Sequence, residues 1–241
     1  MSTLVVYSDT SDATLLSLDG VDDEYDPVGG AYPPARAGTG SDLFDYLGVS
    51  STLAYVGQYC GTWAYVPYVW ETFLGFDTSS IPDGDTVSAA VLRVTSYADS
   101  STTDFDIQAR LRDWGTTVTT ADWVAGADLS GLTLLGSYAT SSGFTANTGY
   151  DLSDTAMAAN VNKTGSTRML LCSSRTTNNN APTTTEYVNI YSADYTGTTR
   201  DPKLTVTYAA GGSTLFLMLE DDSGAYELED DSGGILLEPG A

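Results

Sequence analysis

Alternation of apolar and polar residues is the strongest signal along this chain. Over Asp104–Asp113, the apolar positions from Phe105 to Leu111 alternate strictly with polar ones. A period of two places the two sets on opposite faces, so the pattern predicts an antiparallel strand with one buried and one solvated face. Further strands are predicted over Glu71–Asp77, Val87–Tyr97, Arg168–Ser174, Glu186–Ala193 and Lys203–Tyr208.

Helical patterns are scarce. A short helix is predicted over Ser153–Asn160, with Ser153 as its N-cap, and one further turn over Ala121–Val124. Many strands at short spacing, separated by turn residues, are typical of a β-sandwich or a β-barrel. The sequence therefore predicts an all-β fold.

Charge and composition exclude several kinds of site. The chain has 241 residues, with 9 basic and 32 acidic residues, no histidine and two cysteines. Catalysis by histidine, histidine-ligated metals and four-thiolate clusters are excluded. The shortage of lysine and arginine argues against nucleic-acid binding, and no apolar run is long enough for membrane insertion. Because no secretory signal is apparent at the start, we expect Cys60 and Cys172 to be free thiols, with pairing across a sandwich as the alternative.

The negative charge is concentrated at the two ends of the chain. Residues 1–35 carry seven acids and no base, and residues 204–241 carry eight acids and no base. All nine bases lie within residues 36–203. With the strand pattern, this distribution predicts a sandwich body over residues 1–209 and an acidic assembly tail over residues 210–241.

The tail contains a repeat. Glu-Asp-Asp-Ser-Gly occurs at 220 and again at 229, a period of nine residues. We interpret it as a small β-meander with strands over Leu215–Glu220, Ala225–Glu229 and Gly234–Glu238. The alternatives are a cation-binding repeat, because adjacent carboxylates suit Ca²⁺, and a solvated tail.

A lone meander of this size is marginal in water, so its apolar side chains need a partner surface. We therefore expect the tail to dock on a neighbouring subunit. The predicted interface residues are Leu217, Leu219, Tyr226, Leu228, Ile235, Leu236 and Leu237.

Six aromatic residues lie within sixteen positions, from Tyr55 to Trp70. Exposed Trp and Tyr rings stack on the apolar faces of sugars, which makes this segment a candidate glycan site. Packing in the core or in a subunit contact is the favoured alternative. The glycan candidates are Tyr59, Trp63, Tyr65, Tyr68 and Trp70.

Carboxylates are too numerous for pairs of them to indicate a glycosidase, and we do not expect an enzyme. Acidic residues on loops can nevertheless bind calcium, and no other cofactor is implied. The candidate calcium ligands are Asp9, Asp12, Asp22 and Asp23.

Three motifs resemble the DNRLRE-type β-sandwich family: Trp70–Val94, with its Phe-Asp strand end and Ser-Ser-Ile-Pro turn, Asp151–Asn162, and Tyr187–Tyr208. The resemblance implies a jelly-roll-like antiparallel β-sandwich. Members of the family include carbohydrate-binding modules of bacterial surface proteins and structural proteins of tailed phages. Ala35–Gly40 and Val56–Gln58 are most similar to the phage versions.

The resemblance implies a non-enzymatic virion protein, made in the host cytoplasm, that serves as a head decoration, a fibre or a tail component. Its partners would be major capsid or tail subunits, further copies of itself and a host polysaccharide. The alternative is a carbohydrate-binding module that recognises a polysaccharide.

Overall fold

The computed structural model describes residues 1–9, 12–25, 28–45, 52–61, 63–193 and 195–211, and the backbone of 228–229 and 235–236. The strands are β1 Ser2–Tyr7, β2 Ala13–Leu18, β3 Asp42–Asp45, β4 Leu53–Cys60, β5 Pro67–Asp77, β6 Thr86–Asp99, β7 Asp106–Leu111, β8 Leu134–Ala139, β9 Gly149–Leu152, β10 Ser166–Ser173, β11 Thr185–Tyr191, β12 Lys203–Ala209, β13 Leu228–Glu229 and β14 Ile235–Leu236. The helices are α1 Tyr32–Ala37, α2 Thr155–Ala159 and α3 Ser174–Thr177.

Strands β1 to β12 form one curled antiparallel sheet with two facing halves. The front sheet has the order β1-β12-β6-β9, and the back sheet has the order β11-β4-β5-β10-β7-β8, with β2 and β3 attached at β5. Strand β6 belongs to both halves, because residues 86–95 pair with β12 and β9 whereas residues 96–99 pair with β11. This arrangement confirms the predicted all-β sandwich-like fold.

The main core lies between the two sheets. Alternate residues of the front sheet, such as Leu92 and Val206, pack with Leu74 and Phe76 of β5 and with Met169 of β10. All five side chains are fully buried. The period-two patterns that predicted the strands therefore mark the faces that the sandwich buries.

A second apolar layer covers the outside of the back sheet. The segment of residues 112–132 supplies Trp114, Val118 and Leu129, which pack on Phe73 and Leu170. Strand β5 is thus buried on both faces. The prediction of a solvated face on residues 104–113 is therefore wrong, because the same segment covers that face. The Arg110 side chain is buried there, and it donates hydrogen bonds to Gln108 and to the Leu132 carbonyl.

The predicted helix exists, but its N-cap is not Ser153. The Asp154 carboxylate accepts a hydrogen bond from the Ala156 N–H at 3.1 Å, and the helix runs over Thr155–Ala159. A carboxylate is an equally good cap, and here it stands next to the first helical residue. The second predicted turn is a 3-10 turn over Thr120–Asp122.

In the acidic tail, strands β13 and β14 pair antiparallel. Leu228 lies opposite Leu236, and Glu229 lies opposite Ile235. These residues fall within the second and third predicted strands, whereas the first, over 215–220, lies outside the described residues. The division between 209 and 210 stays a prediction.

Candidate functional site

Five aromatic side chains gather where β4 lies between β5 and β11. They are Tyr55, Tyr59, Tyr68, Trp70 and Tyr187, with neighbouring ring centroids 5.1–6.5 Å apart. We call this set the aromatic cluster. Tyr59 and Tyr68 are direct cross-strand partners, which places their rings on one face.

Gly57 lies at the centre of the cluster. It pairs with Trp70 on one side and with Tyr187 on the other, so the large rings flank a residue that has no side chain. Its φ is +135°, and a Cβ atom there would lie 2.3 Å from the Glu186 carbonyl oxygen. Only glycine fits this position without strain. Because glycine has no side chain, the two flanking rings can contact each other across it.

The cluster is packed rather than laid out as a flat row. Trp70 is 4% exposed and the four tyrosines are half-buried. One pair, Tyr68 and Trp70, is stacked with planes 18° apart, and the other neighbouring rings are tilted by 31–89°. A sugar would therefore meet ring edges over most of this surface.

Trp63 and Tyr65 stand beside the cluster, in the connection between β4 and β5. They are 58% and 41% exposed, and the Trp63 N–H donates to the Asp22 carboxylate at 3.0 Å. The structure thus separates the glycan candidates into a packed group, Tyr59, Tyr68 and Trp70, and an exposed pair. The sequence did not predict Tyr187 as part of this group, because only the register of β11 against β4 places its ring here.

A buried polar network stands on the opposite face of β4 and β11. Glu186 accepts hydrogen bonds from Gln58 and Arg175, each at 2.6 Å, and the Tyr32 hydroxyl donates to Gln58 at 2.7 Å. Burial raises the pKa of Tyr32 to about 12, so its hydroxyl keeps its proton. Because Gln58 and Glu186 are also partners in the ladder, the network stabilises the register that brings Tyr187 to Trp70.

Glu71 follows Trp70 on β5 and is fully buried under the covering segment. Its Oε2 accepts the Val124 N–H at 3.0 Å, and its Oε1 has no hydrogen-bond partner among the described residues. Burial raises the pKa of this carboxyl to about 8. Glu71 is therefore largely protonated at neutral pH.

Both cysteines are free thiols, as expected from the sequence. Burial raises the pKa of Cys172 to about 12 and also raises the pKa of Cys60. The protonated thiol is a poor nucleophile and a poor metal ligand, so neither residue is activated for chemistry.

The calcium candidates occupy two places. Asp9 and Asp12 lie against Gly75, where the Asp9 N–H donates to its carbonyl and the Gly75 N–H donates to Asp12. Asp22 lies beyond the other end of β2, at Trp63. Asp23 accepts the Tyr25 N–H.

Strand β2 has six residues, which separates the Asp9–Asp12 pair from the Asp22–Asp23 pair by about 20 Å. The structure thus does not bring the four carboxylates together. Within the described ranges, no group of three or more metal-ligating side chains is present. Calcium binding stays a prediction.

A groove opens at the end of the back sheet. It has a volume of about 450 Å³ and lies between the end of β7 and the start of β10. Its lining residues are Leu111, Arg112, Asp113, Leu132, Asn160, Asn162, Ser166, Thr167 and Arg168. We call it the arginine groove.

The predicted interface of the tail is only partly described. Leu217, Leu219, Tyr226 and Leu237 lie outside the described residues, and of Leu228, Ile235 and Leu236 only the backbone is described. That backbone forms the antiparallel pair between β13 and β14.

Comparisons with known proteins add no relatives: no family model matches the chain, and a search of curated proteins finds no match. Among the described residues, no helix has both the length and the apolar character needed to cross a membrane.

Proposed function

We propose that this chain is a non-enzymatic structural protein of a tailed-phage virion, joined to neighbouring virion subunits through its acidic tail. The observation that carries the proposal is the ladder between β13 and β14. It pairs the second predicted strand of the tail with the third, in the order expected for a meander. A two-stranded ladder of this size is marginal in water and needs a surface to cover it.

Two further observations support assembly as the role. The motifs over Trp70–Val94 and Tyr187–Tyr208 resemble those of tailed-phage structural proteins. A formal charge of −23 keeps many copies soluble at high local concentration and away from packaged DNA. The partners are major capsid or tail subunits and further copies of this chain, and the location is the virion.

The proposal is tested by incorporation into particles. Replacing the cross-strand partners Leu228 and Leu236 together by Ser removes apolar area from the tail interface. The matched control replaces Val5 and Val21, which are 46% and 49% exposed on the body. We expect at least tenfold fewer copies of the tail variant in purified particles, counted by quantitative mass spectrometry. Equal incorporation of the tail variant and the control would overturn the proposal.

The second candidate function is polysaccharide recognition, favoured by the exposed pair Trp63 and Tyr65 beside the aromatic cluster. Exposed rings next to a rigid aromatic base can stack on a sugar. A glycan array with Trp63→Ala and Tyr65→Ala tests this role. Tyr7→Ala is the control, because Tyr7 is 40% exposed on the front sheet. A glycan that binds wild type and Tyr7→Ala but neither site variant supports the role, and the absence of any bound glycan contradicts it.

A further inference from the structure

Arg112 and Arg168 are neighbours across two strands in the arginine groove. Leu111 pairs with Met169, and the next backbone hydrogen bond runs from the Arg112 N–H to the Arg168 carbonyl at 3.5 Å. Like charges on adjacent strands repel, so this arrangement needs compensating negative charge.

The groove lining contains one carboxylate, that of Asp113, for two arginines, and Asp113 interacts electrostatically with both of them. Arg168 donates to the Asp113 carboxylate at 3.0 Å and lies over the Trp114 ring, with 5.2 Å between its guanidinium carbon and the ring centroid. The Arg112 side chain makes no hydrogen bond or ion pair among the described residues, although its charge acts on the nearby carboxyl groups of Asp113 and Glu71. Its Nε is buried, and buried donors in native proteins are almost always paired.

The rest of the groove suits an acidic peptide. Asn160 and Ser166 provide an amide oxygen and a hydroxyl group, and Leu111 and Leu132 provide apolar contact. The side chains of Asn162 and Thr167 are held by hydrogen bonds within the body. A carboxylate is the acceptor that best matches a guanidinium fork. The ligand chemistry is therefore a carboxylate with apolar neighbours in the same short segment.

The tail of this chain has that chemistry. Each unit of the repeat places Leu beside acids, as in Leu219-Glu-Asp-Asp222 and Leu228-Glu-Asp-Asp231, and residues 204–241 contain no base. An acidic segment without a base complements a groove whose lining has two arginines and one carboxylate.

The tail also leaves the body close to the groove. Gly211 lies against Gly84, so closely that a Cβ atom on Gly211 would be 1.8 Å from the Gly84 carbonyl oxygen. The Lys163 ammonium donates to the carbonyls of Asp83 and Asp85 in that same turn. The residue before Lys163 is Asn162, which lines the groove. The first acids of the repeat follow Gly211 by nine to eleven residues, which can span up to ~30–40 Å when extended.

We propose that, in the free chain, the arginine groove binds a carboxylate of the chain's own acidic tail through Arg112. Attachment near the groove makes the binding intramolecular and raises the effective concentration of the tail. The contact holds the apolar tail residues on the body until a neighbouring subunit replaces it. The inference concerns the free chain and is independent of where in a particle the chain is placed.

Zero-length cross-linking of the full chain tests the contact. Arg112→Lys keeps the positive charge and introduces an amine that carbodiimide can join to a touching carboxylate. We expect links from position 112 to acids of residues 220–238, with at least five times the yield of links from Lys203 to the same acids. Lys203 lies on the front sheet and also lacks an ion-pair partner among the described residues. Links from Lys203 therefore measure the non-specific attraction between the acidic tail and a basic side chain. Arg93→Lys, which faces Asp151, checks that the chemistry works.

A mixture of ¹⁴N- and ¹⁵N-labelled chains identifies the occupant. Cross-links that join only peptides carrying the same nitrogen isotope support the proposal. Mixed-isotope links would assign the groove to a neighbouring copy and overturn the intramolecular contact. Links from position 112 only to body carboxylates such as Asp113, or none, would also overturn it. Normal incorporation of Arg112→Gln into particles would leave the assembly role intact, so the two proposals can fail separately.

Discussion

The rings of Trp70 and Tyr187 lie 5.1 Å apart although their strands are not adjacent. Strand β4 runs between them, and the residue it places there is Gly57. The contact therefore depends on a missing side chain, and on the register that Gln58 and Glu186 fix on the other face.

Gly57→Ala should destabilise the protein by about 2–4 kcal/mol, because it adds positive-φ strain to a steric clash with the Glu186 carbonyl. The measurement is the free energy of unfolding in urea. Gly84→Ala is the matched control, since a Cβ atom there would have no atom within 4 Å. Equal stability of the two variants would contradict the role of Gly57.

Glu71→Gln should change how stability depends on pH. The folded-state pKa of Glu71 is raised to about 8 from an ordinary value of 4.5, so the folded protein holds a proton that the unfolded chain releases. The stability of wild type is therefore highest, as far as this group is concerned, below pH 4.5, and it falls as pH rises to 8, by up to ~1.4 kcal/mol per pH unit.

Glutamine keeps the acceptor for the Val124 N–H and cannot ionise, so the variant should lack this fall. Urea midpoints of wild type and variant from pH 5 to pH 8 measure the difference. Asp83→Asn, an exposed carboxylate, serves as the control. Parallel pH profiles for wild type and Glu71→Gln would show that Glu71 does not titrate in this way.

Glu186→Ala should cost about 3–5 kcal/mol, because it leaves Arg175 and Gln58 without their shared acceptor in a buried site. Asp151→Ala removes the bidentate partner of Arg93, but both of those side chains are 45% exposed. We expect less than about 1 kcal/mol there. Chemical denaturation of both variants measures the contrast, and similar losses would refute the importance of burial.

Asp154→Ala should lower the melting temperature of the protein through loss of the α2 N-cap, and Ser153→Ala should have little effect. Thermal unfolding of the two variants decides between the adjacent positions. A larger loss for Ser153→Ala would restore the assignment that the sequence pattern favoured.

Local patterns predicted six of the twelve strands that the structure describes in the body, namely β5, β6, β7, β10, β11 and β12. The alternation over residues 104–113 correctly predicted β7 and the face that it turns to the core. It could not predict that Arg110 on the other face is buried, because the cover is formed by residues 112–132 only after folding. Burial of both faces of β5 was unpredictable for the same reason, because residues 112–132 also cover the outer face of β5.

The candidate site was only partly predictable. Six aromatic residues in sixteen indicated a cluster, but Tyr187 enters it from a distant strand through register alone. The calcium candidates are close in sequence, yet β2 holds the two pairs apart. Arg112 carried no sequence signal, because the burial of its Nε without a hydrogen-bond partner among the described residues is a property of the packed groove.

The most direct test of the assembly role is a cryo-EM map of the particle that contains this chain, with the chain traced in it. The account predicts density for residues 213–241 packed against a neighbouring subunit, with Leu228 and Leu236 at the contact. A chain that is absent from the particle, or a tail that touches no neighbour in a well-resolved map, would contradict the central claim.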